Sequence, residues 1–214
     1  MTEAPPPLSP EEFARTSVIS PEILSRLRIY VDVLAKWQRR INLVGRGTLD
    51  DVWRRHIQDS AQVHPLLPRV GAAAGPTVID MGTGAGFPGL VLAIIGGCTV
   101  HLVESDSRKC AFLLEAIRQT QADNVHLHTV RMENLAPFPV DVITSRALAS
   151  LDRLIAMAGP FLADDTLCLF LKGQKAEEEL TDTLKSRTMD AVMIQSQTDP
   201  SGTILRLSNI QQKP

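Results

Sequence analysis

Two hydrophobic periods divide the chain. After Ser20-Pro21-Glu22, apolar residues recur at Leu24, Leu27, Val31 and Leu34, the three-and-four spacing that lines one face of a helix. Serine before proline and an acid is a helix start. The hydroxyl can cap free N–H groups, and proline fills a first position that needs no N–H. A long amphipathic helix to about Arg39 is therefore predicted, with a shorter one opening the same way at Ser9-Pro10-Glu11-Glu12. Thr48-Leu49-Asp50-Asp51 resembles a capping box and predicts helical segments through about Leu67. Residues 1–8, rich in proline, are expected to form a flexible tail, and 9–70 a helical N-terminal extension.

From Thr77 the pattern changes. Short β-rich runs at Thr77–Met81, Thr99–Glu104, Val125–Val130, Val140–Thr144 and Thr166–Leu171 alternate with helical stretches at 87–95, 107–120, 150–159 and 175–186. Such alternation predicts βαβ crossovers and a mostly parallel sheet covered on both faces. Two last strands, near 190–197 and 203–210, flank the turn sequence Asp199-Pro200-Ser201-Gly202 and predict an antiparallel hairpin at the sheet edge. Residues 76–214 thus read as one α/β domain with a seven-stranded sheet.

Composition narrows the class. At 214 residues, 44% hydrophobic and 21% charged, the chain is long enough for one such domain and is globular in character. Its most apolar stretch, Phe87 to Val100, is broken by Pro88 and Gly96-Gly97 and is too short for a bilayer, so no membrane association is expected. The first residues have neither a basic n-region nor an apolar h-region, which points to the cytoplasm. Cys98, Cys110 and Cys168 show no metal-binding or disulfide spacing, so no metal is expected. The net charge is −2, but Arg26 to His56 carries eight basic residues against three acidic ones. That basic segment, with Arg39, Arg40, Arg46, Arg54 and Arg55 among its cations, can guide a polyanion to one face, or it can be a set of solvated helix faces.

The chemistry concentrates in Val78-Ile79-Asp80-Met81-Gly82-Thr83-Gly84-Ala85-Gly86-Phe87-Pro88-Gly89, a strand opening into a glycine-rich turn. Glycine allows backbone to approach a ligand closely, so a nucleotide-like cofactor is the first expectation. Gly84-Ala-Gly86-Phe-Pro-Gly89 matches a dinucleotide fingerprint formally, but it puts Pro88 early in the next helix and leaves Asp80 idle. Read as D-x-G-x-G-x-G, every residue is used: Asp80 accepts hydrogen bonds from turn amides or an ammonium, and Gly82, Gly84 and Gly86 form the turn. This resembles the first motif of S-adenosylmethionine-dependent methyltransferases. A purely structural turn is the third reading.

Open α/β sheets bind ligands beyond the carboxyl ends of their strands. The second strand ends at Glu104, placed to accept ribose hydroxyls or to cap a helix. The third leads into Arg131-Met132-Glu133, able to line an adenine pocket. The fourth and fifth lead into Ser145-Arg146-Ala147 and Lys172-Gly173-Gln174, where two cations suggest an anionic substrate or serve as partners of carboxylates.

Taken together, Asn42-Leu-Val44, Arg55-His56-Ile-Gln-Asp59-Ser60, Asp80 through Gly89, Val103-Glu104-Ser105 with Lys109 and Phe112-Leu113, Arg131-Met-Glu133, Ser145-Arg146-Ala147 and Leu171-Lys172-Gly173 resemble the RsmG (GidB) family over nearly the whole chain. The family departs from this sequence at Val44 and Gly45, where it often has Thr and a polar residue, and at Cys110, often Arg. The resemblance implies a class I, Rossmann-like methyltransferase fold and methylation of guanine N7 in the decoding region (530 loop) of 16S ribosomal RNA. It implies S-adenosyl-L-methionine as donor and 16S RNA or the small ribosomal subunit as partner; a monomer is expected. Its cofactor contacts fall on Gly82, Phe87, Met132, Glu133 and Arg146.

Guanine N7 has an exposed lone pair and no proton, so alignment and not a general base is required. The sequence agrees. It carries Ser145-Arg146-Ala147 where exocyclic-amine methyltransferases have [N/D]-P-P-[Y/F/W], and none of its cysteines precedes proline as in cytosine-C5 enzymes. Arg131, Arg146 and Lys172 are candidates for phosphate or guanine O6. His56 and Asp59, one helical turn apart, either face the cleft as positioning groups or form a helix-to-sheet packing pair. A small-molecule methyltransferase and a non-catalytic, cofactor-sensing ribosome-assembly factor are the alternative functions.

Overall fold

The computed structural model describes residues 5–45, 47–71 and 75–213; Arg46, in the basic segment, lies outside them. Helix α1 (Pro10–Thr16) and helix α2 (Pro21–Gln38) start as the sequence predicts, with the hydroxyls of Ser9 and Ser20 accepting from Glu12 and Ile23 N–H. The buried stripe of α2 is centred on Leu27, Tyr30, Val33 and Leu34, with Leu24 and Val31 at its margins. The expected loose tail does not reach residue 8: Leu8 is buried and its N–H donates to Asp51 at 2.8 Å.

The segment after α2 departs from the prediction of regular helix. Thr48–Asp51 is a 3₁₀ turn, Trp53–Gln58 is a π-helical stretch, Asp59–Ala61 forms a single α turn (α3), and His64–Leu66 is again 3₁₀. No capping box forms at Thr48. Gly47 occupies the cap in the left-handed region, and the Thr48 hydroxyl turns instead toward Gly45 and His56.

The sheet holds β1 (Thr77–Met81), β2 (Thr99–Val103), β3 (Val125–His128), β4 (Val142–Arg146), β5 (Leu167–Lys172), β6 (Arg187–Gln195) and β7 (Thr203–Gln212), in the order β3-β2-β1-β4-β5-β7-β6. The first five are parallel and β7 runs antiparallel between β5 and β6. β4 begins at Val142, two residues later than predicted, and just before it the Asp141 carboxylate accepts from the N–H of Thr77 at 2.7 Å. Helices α4 (Gly89–Ile95) and α5 (Ser107–Thr120) cover one face with α2, whereas α6 (Leu151–Ala158) and α7 (Ala176–Thr183) cover the other. The N-terminal extension shares the first of these cores, Leu27 and Leu34 packing in one cluster with Leu90 and Phe112.

Chain order reverses between β1 and β4, so this topology opens its crevice above the carboxyl ends of those two strands. At the far edge, His101 on β2 lies against His126 and His128 on β3, with its Nδ1 2.9 Å from His128 Nε2 and its ring 4.4 Å from that of Phe138.

Candidate functional site

The turn after β1 is built from its own polar groups. Asp80 is fully buried, and its carboxylate accepts from the Thr83 hydroxyl, from Thr144 Oγ1 at 3.0 Å and from Gly89 N–H at 3.0 Å. Burial pushes its pKa up to about 6 against the opposing pull of these donors. Of the two roles the sequence offers Asp80, the structure shows the bond to a turn amide: it lines neither cavity of the cleft, holds the turn and closes the first turn of α4. Several other turn amides are likewise committed. Gly84 N–H donates to Glu104 Oε2 at 3.0 Å, and those of Gly86 and Phe87 to Thr83 O at 2.8 and 3.2 Å. A pyrophosphate would need these same amides, so the arrangement disfavours a dinucleotide.

In this turn, Gly82 and Gly86 combine a positive φ with a steric reason to be glycine. Gly82, at φ 60, would place a Cβ 2.6 Å from Leu148 Cδ1. Gly86, at φ 90, would place one 2.9 Å from Leu90 Cβ and 3.0 Å from the Tyr30 hydroxyl. Gly86, a candidate cofactor contact, packs closely against α2 and α4. Tyr30, which the sequence reading passed over, is fully buried, donates to Ala85 O and packs 5.3 Å from Phe87. The N-terminal extension thus shapes the turn directly.

Two cavities meet at Gly82, Arg146 and Ala147. The first, about 310 Å³, is walled by Val103, Met132, Leu148 and Met157, with Glu104, Glu133, Arg131 and Lys109 around it. Glu104 Oε1 accepts from the N–H groups of Ser105 and Asp106, both at 2.8 Å, which fixes the carboxylate at the rim. An apolar slot with a fixed carboxylate at its rim suits an adenosine, so the residues present fit the donor that the sequence implies.

The second cavity, about 370 Å³, is lined by Leu43 and Val44, by Gly82, Gly84 and Phe87 of the turn, by Arg55, His56 and Asp59, and by Thr198 and Asp199 of the β6–β7 hairpin. Arg146, the last residue of β4, organises it. Its guanidinium donates to His56 Nδ1 at 2.9 Å and to Asp59 Oδ2 at 3.2 Å, and lies 4.8 Å from the Phe87 ring centre. His56 stacks on the same ring at 4.9 Å. Arginine has no acceptor, so Nδ1 must be unprotonated; Nε2 then donates to Thr48 Oγ1 at 2.8 Å. Burial, with the charges of Arg146 and Arg55, lowers the His56 pKa to about 3. The π-helical turn lets both His56 and Asp59 reach Arg146, as such widened turns often do at sites. A 3.6-residue pattern carries no sign of it.

Other candidates lie beside or beyond this cavity, Lys172 in a neighbouring one that shares Asp59, Arg146 and Asp199 with it. Lys172, expected near an anionic substrate, is tied to Glu179 Oε2 at 2.8 Å and to Ala149 O at 2.7 Å, with its side chain 9% exposed. Arg146 is paired too, so neither strand-end cation is free. Arg54, a candidate RNA contact, is turned to Asp51 and to Pro6 O. Arg39, Arg40 and Arg131 are exposed, and Arg55 stands half exposed with Asp199 at 3.8 Å. Asp199, read from the sequence as a turn residue only, and Thr198, given no role there, line the cavity. Burial pushes the Cys98 and Cys168 thiols up to about 11 and about 12, unsuited to nucleophilic attack. Among the described residues no helix is long and apolar enough to cross a membrane, and no cluster of potential ligands could hold a metal.

Comparison with known proteins gives one consistent answer. The model of the GidB family, rRNA small subunit methyltransferase G, matches residues 23–203. The chain is similar to the ribosomal RNA small subunit methyltransferase G of Paramagnetospirillum magneticum, at 52% identity over 203 residues covering 95% of this chain and 97% of that one. With its namesake of Rhodospirillum rubrum the identity is 52% over 205 residues, covering 95% and 98%. Among solved structures, a SAM-dependent methyltransferase from Aquifex aeolicus superposes with TM-score 0.57 at 18% identity, over 75% of this chain and 94% of that one. A mutant of MtNAS in complex with S-adenosylmethionine does so with TM-score 0.56 at 14% identity, over 97% and 85%.

Proposed function

The chain belongs to the rRNA small subunit methyltransferase G family, and from that premise we propose that it transfers the methyl group of S-adenosylmethionine to N7 of a guanine in the 530 loop of 16S ribosomal RNA. It acts in the cytoplasm, as a monomer, on the RNA or the small subunit. The observation that carries this reading is the junction of the two cavities at Gly82 and Arg146.

On this reading the donor's adenosine rests between Met132 and Glu104, with Glu133 beside it, while Gly82 and Arg146 flank the passage to the second cavity. The bound donor supplies an electrophilic sulfonium methyl. The target base enters the second cavity, where Leu43 and Val44 offer apolar surface and Arg55 a cation for the adjoining phosphate. Neutral His56 has both ring nitrogens engaged and is not free to take a proton, in keeping with a nucleophile that has none to lose. The chain's task is therefore positioning, an effect that can lower a barrier by about 7–11 kcal/mol.

The test is methyl transfer from labelled donor to 16S RNA, naked and assembled into small subunits, with the modified base mapped by primer extension and mass spectrometry. One 7-methylguanosine in the 530 loop is expected. Label confined to small molecules, or on another base or atom, overturns the proposal.

A further inference from the structure

We infer that Asp199 accepts the N1–H and N2–H protons of the incoming base and thereby makes the site specific for guanine; the inference rests on the guanine reading above and deepens it. Asp59 and Asp199 are the carboxylates that line the second cavity. Asp59 is spent on structure. Its Oδ1 accepts from Thr198 Oγ1 at 2.6 Å and Gln62 Nε2 at 2.9 Å, and its Oδ2 from Arg146. Asp199 is different. Its Oδ1 accepts from Ser201 N–H at 2.9 Å and Ser201 Oγ at 2.7 Å, whereas among the described residues Oδ2 has only a loose ion pair with Arg55 at 3.8 Å, beyond hydrogen-bond length.

The carboxylate is oriented before any base arrives. The Ser201 hydrogen bonds fix one oxygen, and the turn that carries it is closed by Gly202 N–H on Asp199 O at 2.9 Å. The same hydrogen bonds hold the Asp199 carboxyl below the usual range, so it is ionised at neutral pH and can only accept. Its side chain is 39% exposed, within reach of a ligand in the cavity.

Guanine alone among the RNA bases presents two adjacent donors, N1–H and N2–H, on its Watson–Crick edge. Adenine and cytosine each set an acceptor beside their amine, and uracil flanks its single N–H with two carbonyls. An acceptor-only carboxylate therefore selects guanine, and repels the N7 and O6 edge, which carries two acceptors. Gripping the Watson–Crick edge leaves N7 available for methyl transfer. Arg55 beside Asp199 offsets the cost of holding the carboxylate ready.

The experiment compares 16S RNA carrying guanine or inosine at the target position, each reconstituted into small subunits. Inosine keeps N7, O6 and N1–H but lacks the 2-amino group. Wild-type protein is expected to favour guanine by about 10- to 100-fold in kcat/KM, the range for a hydrogen bond to a charged group. In Asp199→Asn and Asp199→Ala the guanine-to-inosine ratio should fall to within about two-fold. Affinity for S-adenosylmethionine, by calorimetry, should stay unchanged in both, which also shows that the variants are folded. Equal use of the two substrates by the wild type, or an undiminished ratio in both variants, overturns the role of Asp199. Failure of the wild type to modify guanine N7 at all overturns instead the functional reading beneath it.

Discussion

The guanidinium of Arg146 and the imidazole of His56 meet at 2.9 Å, cation to neutral ring, both lying against the ring of Phe87. Burial comes first among the causes that keep His56 uncharged, followed by Arg146 and Arg55. In nitrogen NMR, His56 should show a single tautomer protonated on Nε2 and no titration between pH 8 and 5. Arg146→Met should raise its pKa toward 6.5. Protonation of His56 near pH 6.5 in the unaltered protein would contradict the tautomer assigned here.

Tyr30 joins the N-terminal extension to the donor turn. Tyr30→Phe leaves the Ala85 carbonyl without its partner and should cost about 1–3 kcal/mol in denaturant unfolding, with weaker binding of S-adenosylmethionine. Tyr30→Ala, which also empties space beside Phe87 and Phe112, should cost about 3–5 kcal/mol. A Phe variant as stable as the wild type would mean that the hydroxyl contributes nothing.

Lys172 should behave as a structural residue. Lys172→Ala strands the Glu179 carboxylate, which also accepts from Leu151 N–H at 2.6 Å and so holds the start of α6. A loss of about 2 kcal/mol in unfolding free energy is expected, with the salt dependence of RNA binding unchanged. A selective loss of RNA affinity at full stability would return Lys172 to the substrate surface.

Arg39 and Arg40 end α2 exposed, without an ion pair among the described residues. If RNA phosphates rest there, replacing either with alanine should weaken binding to 16S RNA and reduce the slope of log affinity against log salt by about 1. An unaltered slope in both variants would assign them to solvent.

Acid should destabilise the fold through its histidines. Burial and the neighbouring His126 and His128 lower His101 to about 4, so the unfolded chain takes up a proton below the ordinary 6.5 while the folded one does not. Its contribution is full above pH 6.5 and is lost as pH falls toward 4; His56 acts in the same direction. Asp80 opposes them. Its folded value is raised to about 6, so its contribution is present below 3.8 and is lost as pH rises through 6. His101→Gln should therefore lose less stability than the wild type between pH 7 and pH 4.5, measured by denaturant titration; parallel losses would sink the assignment.

The order of helices and strands was legible because it rests on local periodicity and on start signals such as Ser20-Pro21. The glycine turn was legible for the same reason, its residues being neighbours in sequence. Residues whose role depends on distant partners were not. Lys172 can be read from the sequence as a substrate contact or a carboxylate's partner, and Glu179 meets it only after α7 folds back; Asp80 can serve turn amides or an ammonium, and the donors that enclose it come together only in the fold. The widened turn at Trp53–Gln58 escaped notice since its side chains obey no period of 3.6. Tyr30 carried one available signal: it is the single tyrosine of the chain, three residues after Leu27 on the helix face that packs inward.

Asp59 ties Thr198, near the tip of the hairpin, to Arg146 in mid-sheet and to its own segment of the extension. Parts of the chain nearly 140 residues apart thus close one chamber. During synthesis that chamber has no wall on the hairpin side until the last strands have left the translating ribosome. A nascent chain therefore carries the glycine turn well before the chamber beside it can close.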